Sequence, residues 1–214
     1  MQKNAGNIVR RRYLALTLLV AIVLGLPGDV LRAVEVYPID IFTNNGPYYN
    51  SPDLDLYVEV SDGTSQVDFT FHNASLIDSS VSRIYFEDDL FLGIASITDG
   101  PGTSFSNPSI PGNLPGGDLL QPPFVAAREF SISGAPPPSI DGVNPGEWVQ
   151  ITFDLINNGT FQGVIDELDA ASLRIGIHLI ALPDGSSESA VVPEPTTIAL
   201  LGLGTLALLR KRRA

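Results

Sequence analysis

Few residue types in this chain can do covalent chemistry. It has two histidines, His72 and His178, and no cysteine. Both histidines fall in segments that alternate like strands, where a structural or surface imidazole is the ordinary outcome. A thiol nucleophile and a disulfide are excluded outright. A transition-metal centre draws on several Cys and His donors, and this chain is too poor in them. A serine hydrolase would need one of the two histidines beside its nucleophile, and no Gly-x-Ser-x-Gly elbow occurs.

Carboxylates are abundant by contrast. Asp53 and Asp55, with Asp62 nearby, and the run Glu87, Asp88 and Asp89 offer hard oxygen ligands of the kind Ca²⁺ takes, although neither group follows EF-hand spacing. Calcium is therefore the one cofactor these residues raise; nothing else in the chain asks for one. Glycoside hydrolysis needs two carboxylates about 5 to 9.5 Å apart across a cleft, a separation that sequence does not set. Tyr48, Tyr49 and Trp148 lie beside loops, and their planar rings are platforms for the apolar faces of sugars. Trp148 also opens a strand, where a core position is its usual place. Asn73-Ala74-Ser75 and Asn158-Gly159-Thr160 match a glycosylation sequon, a pattern short enough to arise by chance.

These side chains must be positioned by the stretch from 34 to 192. It carries three basic residues, Arg83, Arg128 and Arg174, against 22 acidic ones, which leaves a charge of −19 where the whole chain has −12. Nucleic acid would be repelled by such a surface; cations or neutral polymers are the better partners. The length suits one domain with a real core. Within it LDLYVEV, 54 to 60, puts Leu54, Leu56, Val58 and Val60 on one side and Asp55, Tyr57 and Glu59 on the other, as a half-buried strand requires. Similar runs occur at 34–42, 67–75, 82–86, 90–97, 124–133, 148–156 and 173–182. Connectors rich in Gly and Pro divide them, and GVIDELDAAS, 163 to 172, is the single helix candidate. The expectation is all-β: an antiparallel sandwich of about eight strands, jelly-roll-like or Ig-like, over 34–184. Two long loops, 98–123 and 134–147, are of the length usually associated with function or mobility. Residues 185–192 read as a flexible tether.

The two ends obey a different logic. Lys3, Arg10, Arg11 and Arg12 precede an apolar run from Tyr13 to Leu26, followed by small residues up to Ala33. That order is the order of a secretory signal peptide over 1–33, with a signal helix and cleavage after Ala33. The run of 14 residues spans about 21 Å as a helix, short of the roughly 30 Å hydrocarbon core. At the other end Pro193, Glu194 and Pro195 form a stiff, non-helical tripeptide, because proline removes a donor and biases its predecessor to extended backbone. Thr196 to Leu209 follows without a charge and reads as a transmembrane helix. Arg210, Lys211, Arg212 and Arg213 close it, and such clusters stay on the cytoplasmic side.

Taken in that order at the extreme C-terminus, these features resemble the PEP-CTERM sorting domain of exported proteins from Gram-negative, often biofilm-forming bacteria. The resemblance implies a tail over 193–214 in which Pro193-Glu194-Pro195 is read by exosortase, an integral-membrane, cysteine transpeptidase-like enzyme. It implies a precursor anchored in the inner membrane, a product at the cell surface or outside it, and exopolysaccharide as a neighbour. The function expected is that of a non-catalytic surface or matrix protein. A carbohydrate-binding sandwich is the alternative, and a secreted hydrolase a weaker one. Basic residues at both ends place both termini in the cytoplasm before processing. A reporter active only in the cytoplasm, fused after Ala190, is expected to be silent; signal from it would overturn the exported reading.

Overall fold

The computed structural model describes residues 32–49, 51–87, 92–106, 112–127 and 131–193. The segment up to Leu31 that is expected to be the signal peptide, Asp88 and Asp89, and the tail from Glu194 onward lie outside the described residues. What is described is all-β, with eleven strands in two antiparallel sheets. The strands are β1 Val34–Pro38, β2 Asp40–Ile41, β3 Leu56–Asp62, β4 Gln66–Asn73, β5 Ser80–Glu87 and β6 Leu92–Asp99. They continue with β7 Phe105–Ser106, β8 Ser131–Gly134, β9 Trp148–Leu155, β10 Arg174–Ile180 and β11 Glu188–Val191. One sheet has the order β1-β3-β4-β9-β6 and the other β2-β11-β10-β5-β8-β7.

Alternation decides which side chains enter the core. In β3, Leu56, Val58 and Val60 are buried while Tyr57, Glu59 and Ser61 face outward. The same period places Val67, Phe69 and Phe71 of β4 and Val149, Ile151 and Phe153 of β9 on the inner face. From the other sheet come Ile84 and Phe86 of β5 and Ile175, Ile177 and Leu179 of β10. Phe86 is the wedge between the layers. Its ring meets Phe153 at 5.0 Å, Phe69 at 5.3 Å and Phe71 at 6.1 Å, each edge to face. That geometry sets the positive ring edge against the negative face and adds to the gain from burial.

The first extended run is divided. β1 pairs with β3, β2 pairs with β11, and buried Ile39 between them carries the chain from one sheet to the other. In the run 124–133, residues 124–127 are not strand and the end forms β8, while 128–130 lie outside the described residues. The helix begins two residues earlier than its sequence pattern suggests, as α2 Phe161–Asp169, because the Thr160 hydroxyl accepts from the Gly163 amide at 3.0 Å and caps it. Val164, Ile165 and Leu168 are its buried side.

The long loops pack. Residues 112–127 lie over the outer face of the six-stranded sheet, where Leu114 and Phe124 join Tyr85 in a second apolar cluster. Gly176 of β10 is what admits Leu114, since a Cβ there would lie 2.7 Å from it. The loop 134–147 contains the short helix α1 Pro138–Asp141 and then bridges Val143 to Val81. Within residues 185–192, expected as a tether, Glu188–Val191 form β11 instead; Ser189 and Ala190 are 1% and 0% exposed. The small side chains at 189 and 190 hide that burial from a hydropathy reading. Replacing Phe86 by Ala removes the wedge between the sheets, and the expected loss is about 3 to 5 kcal/mol in a denaturant unfolding curve. A loss below about 1 kcal/mol would mean that the two layers close without it.

Candidate functional site

The segment leading to the C-terminal tail is the most tightly specified polar place among the described residues. β11 lies between β10 and β2: Gly176, Ile177, His178 and Leu179 pair with 191 to 188, and Ile41 and Asp40 pair with Ala190 and Val191. The register extends one residue further, because the Val192 amide donates to the Ile175 carbonyl at 3.0 Å. Pro193, which has no amide hydrogen, ends it.

Glu188 anchors this strand. Its carboxylate is fully buried and accepts from the Thr43 hydroxyl at 2.5 Å, the Asn45 amide at 2.8 Å and the Gly46 amide at 2.9 Å. Thr43 Oγ1 in turn accepts from the Ser189 amide at 2.7 Å, and the Ser189 carbonyl accepts from the Phe42 amide at 3.0 Å. A buried charge survives only where donors replace its water, and here three of them converge. Gly46 allows the approach, since a Cβ would come within 2.6 Å of Ser186 Oγ. The turn before β11 is closed by Asp184, whose carboxyl lies below its usual range because the Ser186 hydroxyl, and then the Ser186 amide, donate to it.

Residues 191–213 match the family model of the PEP-CTERM protein-sorting motif. The chain carries a PEP-CTERM protein-sorting motif. The match covers about a tenth of the chain and starts on Val191, the last residue of β11. No curated protein and no solved structure matches the chain. The PEP-CTERM motif points to a surface protein that exosortase processes, with a membrane-anchored precursor. Among the described residues no helix is long and apolar enough to cross a membrane. The apolar stretch 196–209 lies outside them, as do Glu194, Pro195, Arg210, Lys211, Arg212 and Arg213. Beside Pro193, the first residue of the tripeptide, is a mostly apolar cleft of about 270 Å³, bordered by Leu120, Leu168, Leu173, Val191 and Arg174. At the other end Ala33 is exposed just ahead of β1, and its carbonyl accepts from the Asp62 amide at 3.0 Å.

The acidic candidates are spread out or already engaged. Glu87 Oε2 is 2.5 Å from Nη2 of Arg174. The same guanidinium donates to the carbonyls of Pro122 and Pro123, both at 2.8 Å, and stands 5.3 Å from the centre of the Phe124 ring. Arg174 therefore staples the covering loop to β10 and takes Glu87 as its counterion. Asp53 and Asp55 are exposed; their main-chain carbonyls accept from the amides of Leu76 and Ala74 at 2.8 Å. Among the described residues no three His, Asp or Glu side chains are grouped to hold a metal. Asp88 and Asp89 lie outside the described residues.

The two histidines are on opposite outer faces. His72 stacks on Tyr57 at 4.7 Å with 13° between the rings, and its Nε2 is 3.6 Å from a Glu59 carboxylate oxygen. The spacing is that of neighbouring strands, and His72 Nε2 is itself buried against its neighbours. Trp148 is the cross-strand neighbour of His72, with its ring over Gly100. Tyr48 packs against the core and Tyr49 is 43% exposed, so the three rings named from sequence do not form one surface. The Asn73 amide is buried and donates to Ser79 Oγ and the Val143 carbonyl, which rules it out as an accessible sequon.

His178 of β10 faces Arg83 of β5. Burial first, and the Arg83 guanidinium second, hold its pKa below the ordinary imidazole value. The unfolded chain takes up this proton at about pH 6.5, the ordinary imidazole value, and the folded chain only at lower pH. Stability is therefore full above about pH 6.5 and declines as pH falls through that value. Wild type should lose stability relative to His178→Gln between about pH 7.5 and about pH 5.5 in denaturant titrations. A constant difference would remove His178 from the pH response.

Proposed function

We propose that this is a non-catalytic exported protein of the cell surface or extracellular matrix. It is secreted through the inner membrane, retained by the segment 196–209 and processed by an exosortase-like transpeptidase. The observation that carries the reading is the match of residues 191–213 to the PEP-CTERM sorting motif directly behind a folded β domain. Pro193, Glu194 and Pro195 are the recognition element, and Arg210 to Arg213 set the orientation of the tail. Ala33 is the residue before the signal cleavage.

A non-catalytic role is supported by how the polar groups are used. Glu188 accepts from three donors, Glu87 pairs with Arg174, and His72 stacks on Tyr57. The setting we assign to the mature protein is an exopolysaccharide matrix. Its acidic surface suits a neutral polymer and repels nucleic acid.

The test separates recognition from anchoring. Glu194→Ala leaves the apolar segment and the basic cluster untouched and removes the carboxylate from the tripeptide. Both chains are expressed in an exosortase-containing host, and product mass and location are compared by mass spectrometry. The variant is expected to accumulate in the membrane with residues 196–214 attached. Equal release of both chains would sink the claim that the tripeptide is a recognition signal.

A further inference from the structure

The sorting motif has almost no slack. Val192 is still hydrogen-bonded to the sheet, and the uncharged stretch begins at Thr196. Only residues 193 to 195 separate the two, a reach of about 10 Å when fully extended. An enzyme embedded in the membrane must grip the tripeptide within that distance of a folded domain. Undocking residues 188 to 192 would add about 17 Å of chain. Undocking is opposed by the four-residue ladder to β10, by the two residues paired with β2 and by the seat of Glu188, which is the side-chain anchor of the strand that a single substitution can loosen.

We infer that Glu188 is a positioning residue for sorting: by holding β11 in the sheet it sets the reach of Pro193-Glu194-Pro195 and so governs the rate of exosortase processing. This rests on the proposed function above. The cut itself breaks one peptide bond and passes the acyl group, through the enzyme's cysteine, to water or an amine, with the thiol regenerated. β11 takes no part in that chemistry and acts through access.

Glu188→Gln keeps the shape of the side chain; with its oxygen on the Asn45 and Gly46 amides, its NH2 replaces the oxygen that accepts from the Thr43 hydroxyl, and the charge assistance of all three hydrogen bonds is lost. Processing of the full-length precursor is followed in an exosortase-containing host by pulse-chase and mass spectrometry, with an exosortase-free host beside it. At native spacing the variant should be processed about fivefold faster or more, the opening equilibrium gained when a buried acceptor is lost. A six-residue Gly-Ser spacer between Val192 and Pro193 supplies about 13 Å of flexible chain. In that background Glu188→Gln and wild type should be processed at the same rate. A role in stability alone would act equally in both backgrounds, so a difference that survives the spacer overturns the inference. Equal or slower processing of Glu188→Gln at native spacing also overturns it. If Glu188→Gln does not fold, Thr43→Val loosens the same seat and is held to the same outcomes. Wild type left unprocessed in both hosts would defeat the proposed function itself, which is a different result from processing that ignores the seat.

Discussion

Two sheets without a disulfide close on each other only if their apolar faces interlock, and the ring of Phe86 is where they do. It comes from the six-stranded layer and meets three phenylalanines of the five-stranded layer edge to face. With no cysteine in the chain, this contact and the aliphatic residues around it bear what cross-links supply in many exported domains. Everything outside the core is placed relative to those layers: α2 against their end, the covering loop on one outer face, and the aromatic row of Tyr57, His72 and Trp148 on the other.

Charge is handled with similar economy. A domain with three arginines and many carboxylates cannot pair its acids one for one. Most acidic side chains stay in water, where repulsion is screened within about 8 to 10 Å. The exceptions mark structural work. Arg174 gathers Glu87 and two proline carbonyls, which fixes the loop over Phe124. Among the described residues Glu188 has no cationic partner and is held by neutral donors, two of them main-chain amides. Removing a carboxylate from such a place leaves its donors unsatisfied, so the position is sensitive although its pairing is invisible in a charge count.

That placement joins the fold to the sorting function. The PEP-CTERM motif starts on the last residue of β11, so the domain hands its final strand directly to the tail. Proline at 193 makes the boundary sharp, because it has no N–H to donate to the ladder and favours extended backbone before it. A sorting signal attached by a long flexible linker would be indifferent to the state of its passenger. The motif here is attached through a seated strand.

Local pattern alone determined the β class, the inward set of β3 and the three-part order of both ends, because alternation and the sequence of charge, apolar run and breaker are written residue by residue. The sorting motif was legible for the same reason. The seat of Glu188 was not: its donors, Thr43, Asn45 and Gly46, are more than 140 positions away in sequence, and only the return of β11 beside β2 brings them together. Ser187, Ser189 and Ala190 suggest a tether by composition, and burial by tertiary neighbours overrides that preference. Glu87 likewise offered itself as a metal ligand until the pairing of β5 with β10 set Arg174 against it. Strand identity is a property of a short run, whereas the use of a polar group depends on which distant strand folds against it.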